Sequence, residues 1–169
     1  MPRAILIGPP GAGKSTVGKA LARKLDCEFA DTDHLIEVEA GKKISDIFVE
    51  DGEPVFRELE EKMVSQAIRS CDGVLSLGGG AVMSAATQSL LEPLHASVVL
   101  LEVSISQAAP RVGFNKDRPM LMLNPRQQWQ ALLEKRLPTY RRLASFSIST
   151  DSMKPAEVAE KIASHLEQP

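Results

Sequence analysis

Short runs of apolar residues alternate along the chain with longer stretches whose apolar residues recur at helical spacing. Most of the short runs are almost continuously apolar, which is typical of parallel strands that are covered on both faces. This alternation predicts βαβ units, and therefore an α/β fold built on a parallel sheet. The predicted strands are AILIG (4–8), CEFAD (27–31), VLSLG (74–78), SVVLLEV (97–103) and FSIST (146–150). The predicted helices lie near residues 14–25, 33–40, 53–70, 84–92, 104–109, 126–144 and 155–167.

The composition predicts one ordinary globular domain spanning residues 1–169. A formal net charge of −2 argues against nucleic acid as a partner, so any bound anion must be held by a local cluster of basic groups. The two cysteines show no metal-ligand spacing and favour a reducing compartment. The N-terminal MPRAILIG does not have the pattern of a signal peptide, and no apolar run approaches the roughly 18 residues of a membrane span. With no long exposed apolar stripe evident, we expect a cytoplasmic monomer that binds neither membranes nor nucleic acid.

The first predicted strand ends in GPPGAGKST (8–16), which fits the phosphate-binding pattern G-x-x-x-x-G-K-[ST]. Backbone N–H groups of such a loop point at phosphate oxygens, and the following helix adds the partial positive charge of its N-terminus. Lys14 would reach the β and γ phosphates, and the Ser15 hydroxyl could ligate Mg²⁺. The motif therefore predicts binding of a nucleoside triphosphate. The predicted ATP-binding residues of this loop are Gly11, Ala12, Gly13, Lys14, Ser15 and Thr16.

Two carboxylates, Asp31 and Asp33, follow the second predicted strand. In a parallel sheet the carboxyl ends of strands line the ligand crevice, so these side chains are expected near the phosphates. Because side chains alternate along an extended chain, one carboxylate could serve the metal while the other faces a phosphoryl acceptor. A purely structural alternative is that Asp33 caps a helix beginning at His34.

The segment DGEPVFRELEE (51–61) places Arg57 and Glu60 three residues apart on a predicted helix. They could form an ordinary surface ion pair, or Glu60 could orient Arg57 toward an anionic substrate group. Local sequence leaves both interpretations open. Phe56, together with Leu59 and Met63, lies on one helical face and is expected in the core.

Two further segments suggest close contact with ligands. Three consecutive glycines, Gly78–Gly80, follow the third predicted strand, which suggests that something approaches the backbone very closely there. Residues 110–125 are rich in proline and basic side chains, and a loop of this kind is typical of a functional lid. The alternative is plain surface with ordinary solvated charges. Within this segment, Arg118 suits an arginine that moves onto a transferring phosphate.

Together these motifs resemble the shikimate kinase family over essentially the whole chain. The P-loop alone is as similar to that of an adenylate kinase. The similarity to shikimate kinases lies in the order of the other motifs, which are DTD, DGE-x-x-FR-x-x-E, GGGAV, an RP-containing lid and R-x-P-x-Y. The resemblance implies a three-layer α/β/α P-loop kinase of the nucleoside-monophosphate-kinase type with a five-stranded parallel sheet. It implies a substrate-binding helical region at about 33–61 and a mobile lid at about 111–124. The implied reaction is MgATP-dependent phosphorylation of the 3-hydroxyl of shikimate, giving shikimate 3-phosphate on the way to chorismate and the aromatic amino acids.

At positions of this sequence that match the family's motifs, the resemblance implies the same residue roles. The implied catalytic residues are Lys14, Asp33 and Arg118, with Asp33 holding the reacting hydroxyls and able to act as a base. The implied shikimate-binding residues are Asp33, Phe48, Phe56, Arg57, Glu60, Gly78, Gly79, Gly80 and Arg136. Ser15 and Asp31 are the implied Mg²⁺ ligands, and Arg111, Arg118 and Pro155 add to the ATP site. Pro110 departs from the family pattern, and it predicts that the helix before the lid ends or kinks early, which weakens the assignment of Arg111.

Other functions share parts of this pattern. A guanine-nucleotide switch is disfavoured because Arg118 occupies the aspartate position of an N-K-x-D motif beginning at Asn115. A gluconate-type or nucleotide kinase would share the P-loop, and the local chemistry fits gluconate as well as shikimate. A non-catalytic binding protein would tolerate loss of Lys14, Asp33 or Arg118, yet all three are present.

Overall fold

The computed structural model describes residues 1–112 and 124–168, and a five-stranded sheet forms the centre of the molecule. The strands are β1 (Ala4–Ile7), β2 (Phe29–Asp31), β3 (Val74–Ser76), β4 (Val98–Glu102) and β5 (Phe146–Ser149). They lie in the order β2-β3-β1-β4-β5, and every neighbouring pair is parallel. The predicted α/β fold with a five-stranded parallel sheet is confirmed.

Helices cover both faces of this sheet. They are α1 (Lys14–Lys24), α2 (Thr32–Ala40), α3 (Ile44–Glu50), α4 (Glu53–Ser70), α5 (Ala85–Leu91), α6 (Ile105–Val112), α7 (Pro125–Leu143) and α8 (Pro155–Leu166). Within the described ranges none of them is long and apolar enough to cross a membrane. Short 3₁₀ segments lie at Ala81–Met83 and Glu92–Ser97.

Strand β1 shows why the strands are apolar throughout. Leu6 packs in a core with α1 and α8, whereas Ile5 and Ile7 pack in a second core with α4 and α7. Successive side chains of a strand point to opposite faces, so a strand covered on both sides must be apolar at every position.

A third, smaller core joins α2, α3 and α4. Its buried members are Ile36, Ile47, Phe56 and Met63. Phe56 and Met63 follow the face predicted from the sequence, with Leu59 partly buried beside them. This cluster fixes α4 against α2, and so fixes Arg57 relative to Asp33.

Helix α6 corrects the expectation that the helix ends before Pro110. The helix does not end before the proline but runs from Ile105 to Val112 with Pro110 inside it. Proline removes only one helical N–H, whose partner would be the carbonyl of Ser106, and both residues lie on the exposed face where water can bind that carbonyl. The helix therefore carries Arg111 as a regular helical residue.

Candidate active site

A cavity of about 280 Å³ opens at the carboxyl ends of β1, β2 and β3. These strands are adjacent and parallel, so the loops that follow them meet at one edge of the sheet. The register places Asp31, the last residue of β2, beside Ser76 of β3. The lining residues are Pro10, Gly11, Gly13, Lys14, Ser15, Thr16, Asp31, Asp33, Ser76, Leu77, Gly78, Gly79 and Arg111.

The P-loop wraps closely around one side of the cavity. Gly11 and Gly13 have φ angles of 84° and 82°, a conformation that favours glycine. Lys14 Nζ donates to the carbonyl oxygens of Gly8 at 2.7 Å and of Pro9 at 3.0 Å. Gly13 is the N-cap of α1 and no acidic side chain lies in the first turn, so the positive end of the helix faces the cavity without a competing carboxylate from that turn.

Two side chains from α6 and α7 bind the outer backbone of the P-loop. Arg111 Nη1 donates to the Gly11 carbonyl at 3.2 Å, and Trp129 Nε1 donates to the Pro10 carbonyl at 2.9 Å. Trp129 is buried and is the single tryptophan of the chain. These contacts hold consecutive carbonyls of the loop. Trp129 was not predicted as a site residue, because none of the sequence motifs includes it.

The carboxylate of Asp31 links the P-loop to α2. It accepts a hydrogen bond from the Ser15 hydroxyl through Oδ2 and from the Asp33 N–H at 3.0 Å through Oδ1. Asp31 is therefore the N-cap of α2, which begins at Thr32, and the alternative that Asp33 caps a helix from His34 is wrong. The expectation that Asp31 and Asp33 point to opposite sides of an extended chain is also wrong. Residues two apart share one face of an extended chain. Here Asp33 lies in the first helical turn of α2, and both carboxylates line the same cavity.

The donor set at Ser15 and Asp31 fits a magnesium ion shared with a nucleotide. Mg²⁺ typically takes one or two protein ligands and completes its shell with phosphate oxygens and water. Among the described residues no group of three or more His, Cys, Asp and Glu side chains could hold a metal ion on the protein alone. The residues present thus suit a metal that arrives with phosphates.

The first glycine of the turn after β3 leaves room for carboxylates. A Cβ atom at Gly78 would lie 2.6 Å from Asp33 Oδ1 and 3.0 Å from Glu60 Oε2. Gly78 is not among the residues with positive φ, so the absence of a side chain is explained by space and not by backbone conformation. The turn therefore lies directly against Asp33 and Glu60.

The next two glycines leave room for arginines. A Cβ atom at Gly80 would lie 2.6 Å from Arg57 Nη1, and one at Gly79 would lie 3.4 Å from Arg136 Nη1. Arg136 is itself 5% exposed, which is unusual for an arginine. The three glycines thus bring one carboxylate pair and two guanidinium groups onto a single turn.

Arg57 and Glu60 do not form an ordinary surface pair. Arg57 Nη1 donates to Glu60 Oε1 at 2.8 Å, and Glu60 is 4% exposed. Burial raises the pKa of the Glu60 carboxyl, and the positive charge of Arg57 opposes that shift. The Arg57 guanidinium also lies 5.1 Å from the centroid of the Phe56 ring, which packs 4.7 Å from Phe48. The contacts hold Arg57 in one orientation beside Gly80.

Two buried hydroxyls that the sequence analysis did not single out also contact the turn. Thr32 Oγ1 accepts from the Gly78 N–H at 3.1 Å, and the Tyr140 hydroxyl donates to the Gly79 carbonyl. Tyr140 follows Arg136 by four residues on α7, so the spacing R-x-P-x-Y already places both on one helical face. That spacing is the signal from which Tyr140 could have been found.

Not every predicted site residue lines this cavity. Those among the described residues that do not line it are Ala12, Phe48, Phe56, Arg57, Glu60, Gly80, Arg136 and Pro155. Arg118 lies outside the described residues, as does most of the predicted lid. Pro155 begins α8, and within the part of the chain that the structure describes it does not line the cavity.

Comparison with known proteins identifies the family of this chain. The family model described as shikimate kinase matches residues 10–167. The chain belongs to the shikimate kinase family. The shikimate kinase of Rhodococcus jostii is 48% identical over 166 residues, covering 98% of each chain. The shikimate kinase of Thermobifida fusca is 51% identical over 165 residues, covering 98% of this chain and 95% of that protein.

Solved structures agree with the family. A shikimate kinase from Acinetobacter baumannii in complex with shikimate has a TM-score of 0.89 and 37% identity, covering 95% of this chain and 89% of that one. A gluconokinase from Sinorhizobium meliloti is 20% identical with a TM-score of 0.55, covering 96% of this chain and 90% of that one. The second likeness extends to the fold alone. The prediction of the family from the sequence motifs is confirmed.

Proposed function

We propose that the protein transfers the γ-phosphoryl group of ATP to the 3-hydroxyl of shikimate, giving shikimate 3-phosphate in the pathway to chorismate and the aromatic amino acids. The observation that carries this proposal is the position of the Gly78–Gly80 turn. It lies against Asp33, Arg57 and Arg136, and a Cβ atom at Gly79 would lie only 3.0 Å from Pro10 of the P-loop. An acceptor held by the turn is therefore next to phosphates held by the P-loop.

The phosphate side of the site is built for charge stabilisation. Lys14 and the N-terminus of α1 face the cavity, where they would bind the β and γ phosphates. Ser15 and Asp31 would hold Mg²⁺, which supplies neutralisation of the charge on the transferring phosphoryl group. The ATP contacts of Gly11, Ala12, Gly13, Thr16, Arg111, Arg118 and Pro155 stay predictions.

The acceptor side supplies the complementary groups for a hydroxylated carboxylic acid. Arg57 and Arg136 would bind the carboxylate of shikimate, since a guanidinium can form two parallel hydrogen bonds with a carboxylate. Asp33 would accept hydrogen bonds from the reacting hydroxyls and take the proton as the phosphoryl group is transferred. Phe48, Phe56 and Glu60 would then shape and orient this half of the site.

Gluconate satisfies the same bare description, because it is also a hydroxylated carboxylic acid. Family membership over residues 10–167 supports shikimate instead, and the likeness to a gluconokinase is one of fold. A cytoplasmic location, a monomeric state and the absence of nucleic-acid and membrane partners stay predictions from the sequence.

A coupled ADP-release assay tests the proposed function directly. The protein is given MgATP with shikimate, gluconate or AMP in separate reactions, and turnover is expected with shikimate alone. Turnover only with gluconate or AMP would retain the P-loop kinase and overturn the acceptor. No turnover with any of the three would favour another acceptor or a non-catalytic binding protein.

Gly80→Ala is expected to impair acceptor binding without unfolding the protein. The added methyl group would displace the guanidinium end of the Arg57 side chain, whose Nη1 lies 2.6 Å away, and not the backbone. Displacing one of the two arginines that would bind the carboxylate should raise the KM for shikimate by about tenfold while leaving the KM for ATP nearly unchanged.

Arg57→Ala provides the matched comparison for that variant. It should cripple shikimate binding by itself, and adding Gly80→Ala to it should cause little further loss, because both act on the same guanidinium. Additive losses of shikimate binding in the double variant would contradict this assignment of Arg57 to the acceptor. Equal weakening of ATP binding and shikimate binding would contradict it as well.

A further inference from the structure

The turn after β3 has no side chains of its own, and two buried hydroxyls hold it from either side. The Gly78 N–H donates to Thr32 Oγ1, and the Gly79 carbonyl accepts from Tyr140. Both hydroxyl-bearing residues are 0% exposed. A run of glycines has many accessible backbone conformations, so its shape must be fixed by contacts from outside the run.

The contact from Tyr140 sets the orientation of a whole peptide group. A trans peptide is planar, with its C=O and N–H pointing in opposite directions. Holding the Gly79 carbonyl therefore also fixes the direction of the Gly80 N–H, on the residue that faces Arg57. The hydrogen bond spans 61 positions of sequence and ties α7 to the turn.

The same hydroxyl lies beside Arg136. Burial raises the pKa of the Tyr140 phenol to about 12, and the charge and hydrogen bonding of the Arg136 guanidinium oppose that shift without cancelling it. The hydroxyl therefore keeps its proton and stays a donor to Gly79. Arg136, Tyr140 and the Gly79 carbonyl form one connected unit.

We propose that Tyr140 is a positioning residue for the acceptor, acting through Arg136 and through the peptide between Gly79 and Gly80. The inference rests on the proposed function, since it assigns Tyr140 to the binding of the shikimate carboxylate. The ring packs in the core with Leu143 and Leu77, so phenylalanine can fill the same space. What Tyr140→Phe removes is the donor, which leaves the Gly79 carbonyl without this partner and the turn less restricted.

Steady-state kinetics of Tyr140→Phe test the inference. The KM for shikimate should rise about tenfold, as expected for loss of one buried hydrogen bond at a binding site, whereas the KM for ATP should change by less than about twofold. Thr150→Val is the matched control. It removes another buried hydroxyl, which donates to the Glu102 carbonyl at 3.2 Å at the end of β5, three strands from β3. The control should leave the KM for shikimate unchanged.

A double-mutant cycle separates positioning from simple stabilisation. If Tyr140 acts partly through Arg136, Tyr140→Phe should raise the KM for shikimate by a smaller factor in an Arg136→Lys background than in the wild type. A residue that only stabilises the fold would lower the unfolding midpoint in urea and leave the ratio of the two KM values unchanged. That result would overturn the inference. So would additive effects of the two substitutions together with an unchanged KM for shikimate in Tyr140→Phe.

A label provides a measurement that does not depend on the variant folding. Tyr140 is the only tyrosine of the sequence, so growth on 3-fluorotyrosine places a single ¹⁹F probe at this site. Its resonance should shift on addition of shikimate, and an unchanged resonance at saturating shikimate would overturn the inference. Wild-type protein that does not phosphorylate shikimate would overturn the proposed function and this inference with it. If the wild type phosphorylates shikimate and the Tyr140→Phe variant has the same KM for shikimate, only the inference is overturned.

Discussion

Replacing Lys14 with methionine is expected to lower kcat by about a thousandfold, because phosphoryl transfer depends on fixed positive charge around the transferring group. The ammonium group is already held in the P-loop by the carbonyls of Gly8 and Pro9, at 2.7 and 3.0 Å. It therefore loses little freedom when it stabilises the transition state. Methionine keeps the length and most of the volume of the side chain but removes the charge. Steady-state turnover of shikimate, with ADP release as the readout, measures the loss.

Lys19→Met is the matched control for Lys14→Met. Lys19 lies on the same helix, α1, with its side chain exposed. The identical chemical change there should leave kcat within about twofold of the wild type, as is usual for exposed positions away from special contacts. Retention of more than a tenth of the activity by Lys14→Met would contradict the role assigned to this lysine. Equal losses in both variants would indicate a general effect of charge.

The sheet and the P-loop could be predicted from the sequence because both depend on short-range patterns. Strands covered on both faces are apolar at every position, and the phosphate loop is defined by the spacing of Gly8, Gly13, Lys14 and Ser15. Helix α3 has no such pattern. It is seven residues long, contains three β-branched apolar residues and buries only Ile47, so its sequence carries little helical signal.

The details at the end of β2 could not be predicted because a shift of two residues in the start of α2 decides them. Starting α2 at Thr32 instead of His34 makes Asp31 the cap and turns Asp33 into the cavity. Both starts are compatible with the letters DTD, since each would place an aspartate at the N-cap.

Contacts between distant segments were also outside the reach of sequence patterns. The sequence suggested that Gly79 and Gly80 are small in order to admit a ligand. The structure shows that protein side chains, Arg57 and Pro10 among them, already occupy the adjoining space. The hydrogen bond from Tyr140 to Gly79 joins residues 61 positions apart, and only the fold reveals it.

Replacing Asp33 with asparagine is expected to lower kcat by about a hundredfold to ten-thousandfold, the range typical of removing a general base. Asparagine is nearly the same size and can still hydrogen bond to a hydroxyl, but it cannot take up the proton. The variant should keep its KM for ATP, because the hydrogen bonds from Ser15 and from the residue 33 N–H to Asp31 do not involve the Asp33 side chain. Single-turnover phosphoryl transfer with shikimate measures the chemical step itself.

Asp26→Asn is a suitable control for Asp33→Asn. Asp26 is exposed and has a φ of 50°, a conformation that asparagine adopts as readily as aspartate. Asp26→Asn should therefore leave kcat and the KM for ATP unchanged. The pattern of loss then assigns the function of Asp33. A fall in kcat with ATP binding retained supports its role at the acceptor hydroxyl. A raised KM for ATP with kcat preserved would instead place Asp33 with Asp31 at the metal and the phosphates, and the base would have to be sought elsewhere on the Gly78–Gly80 turn, where Glu60 is the other carboxylate within reach.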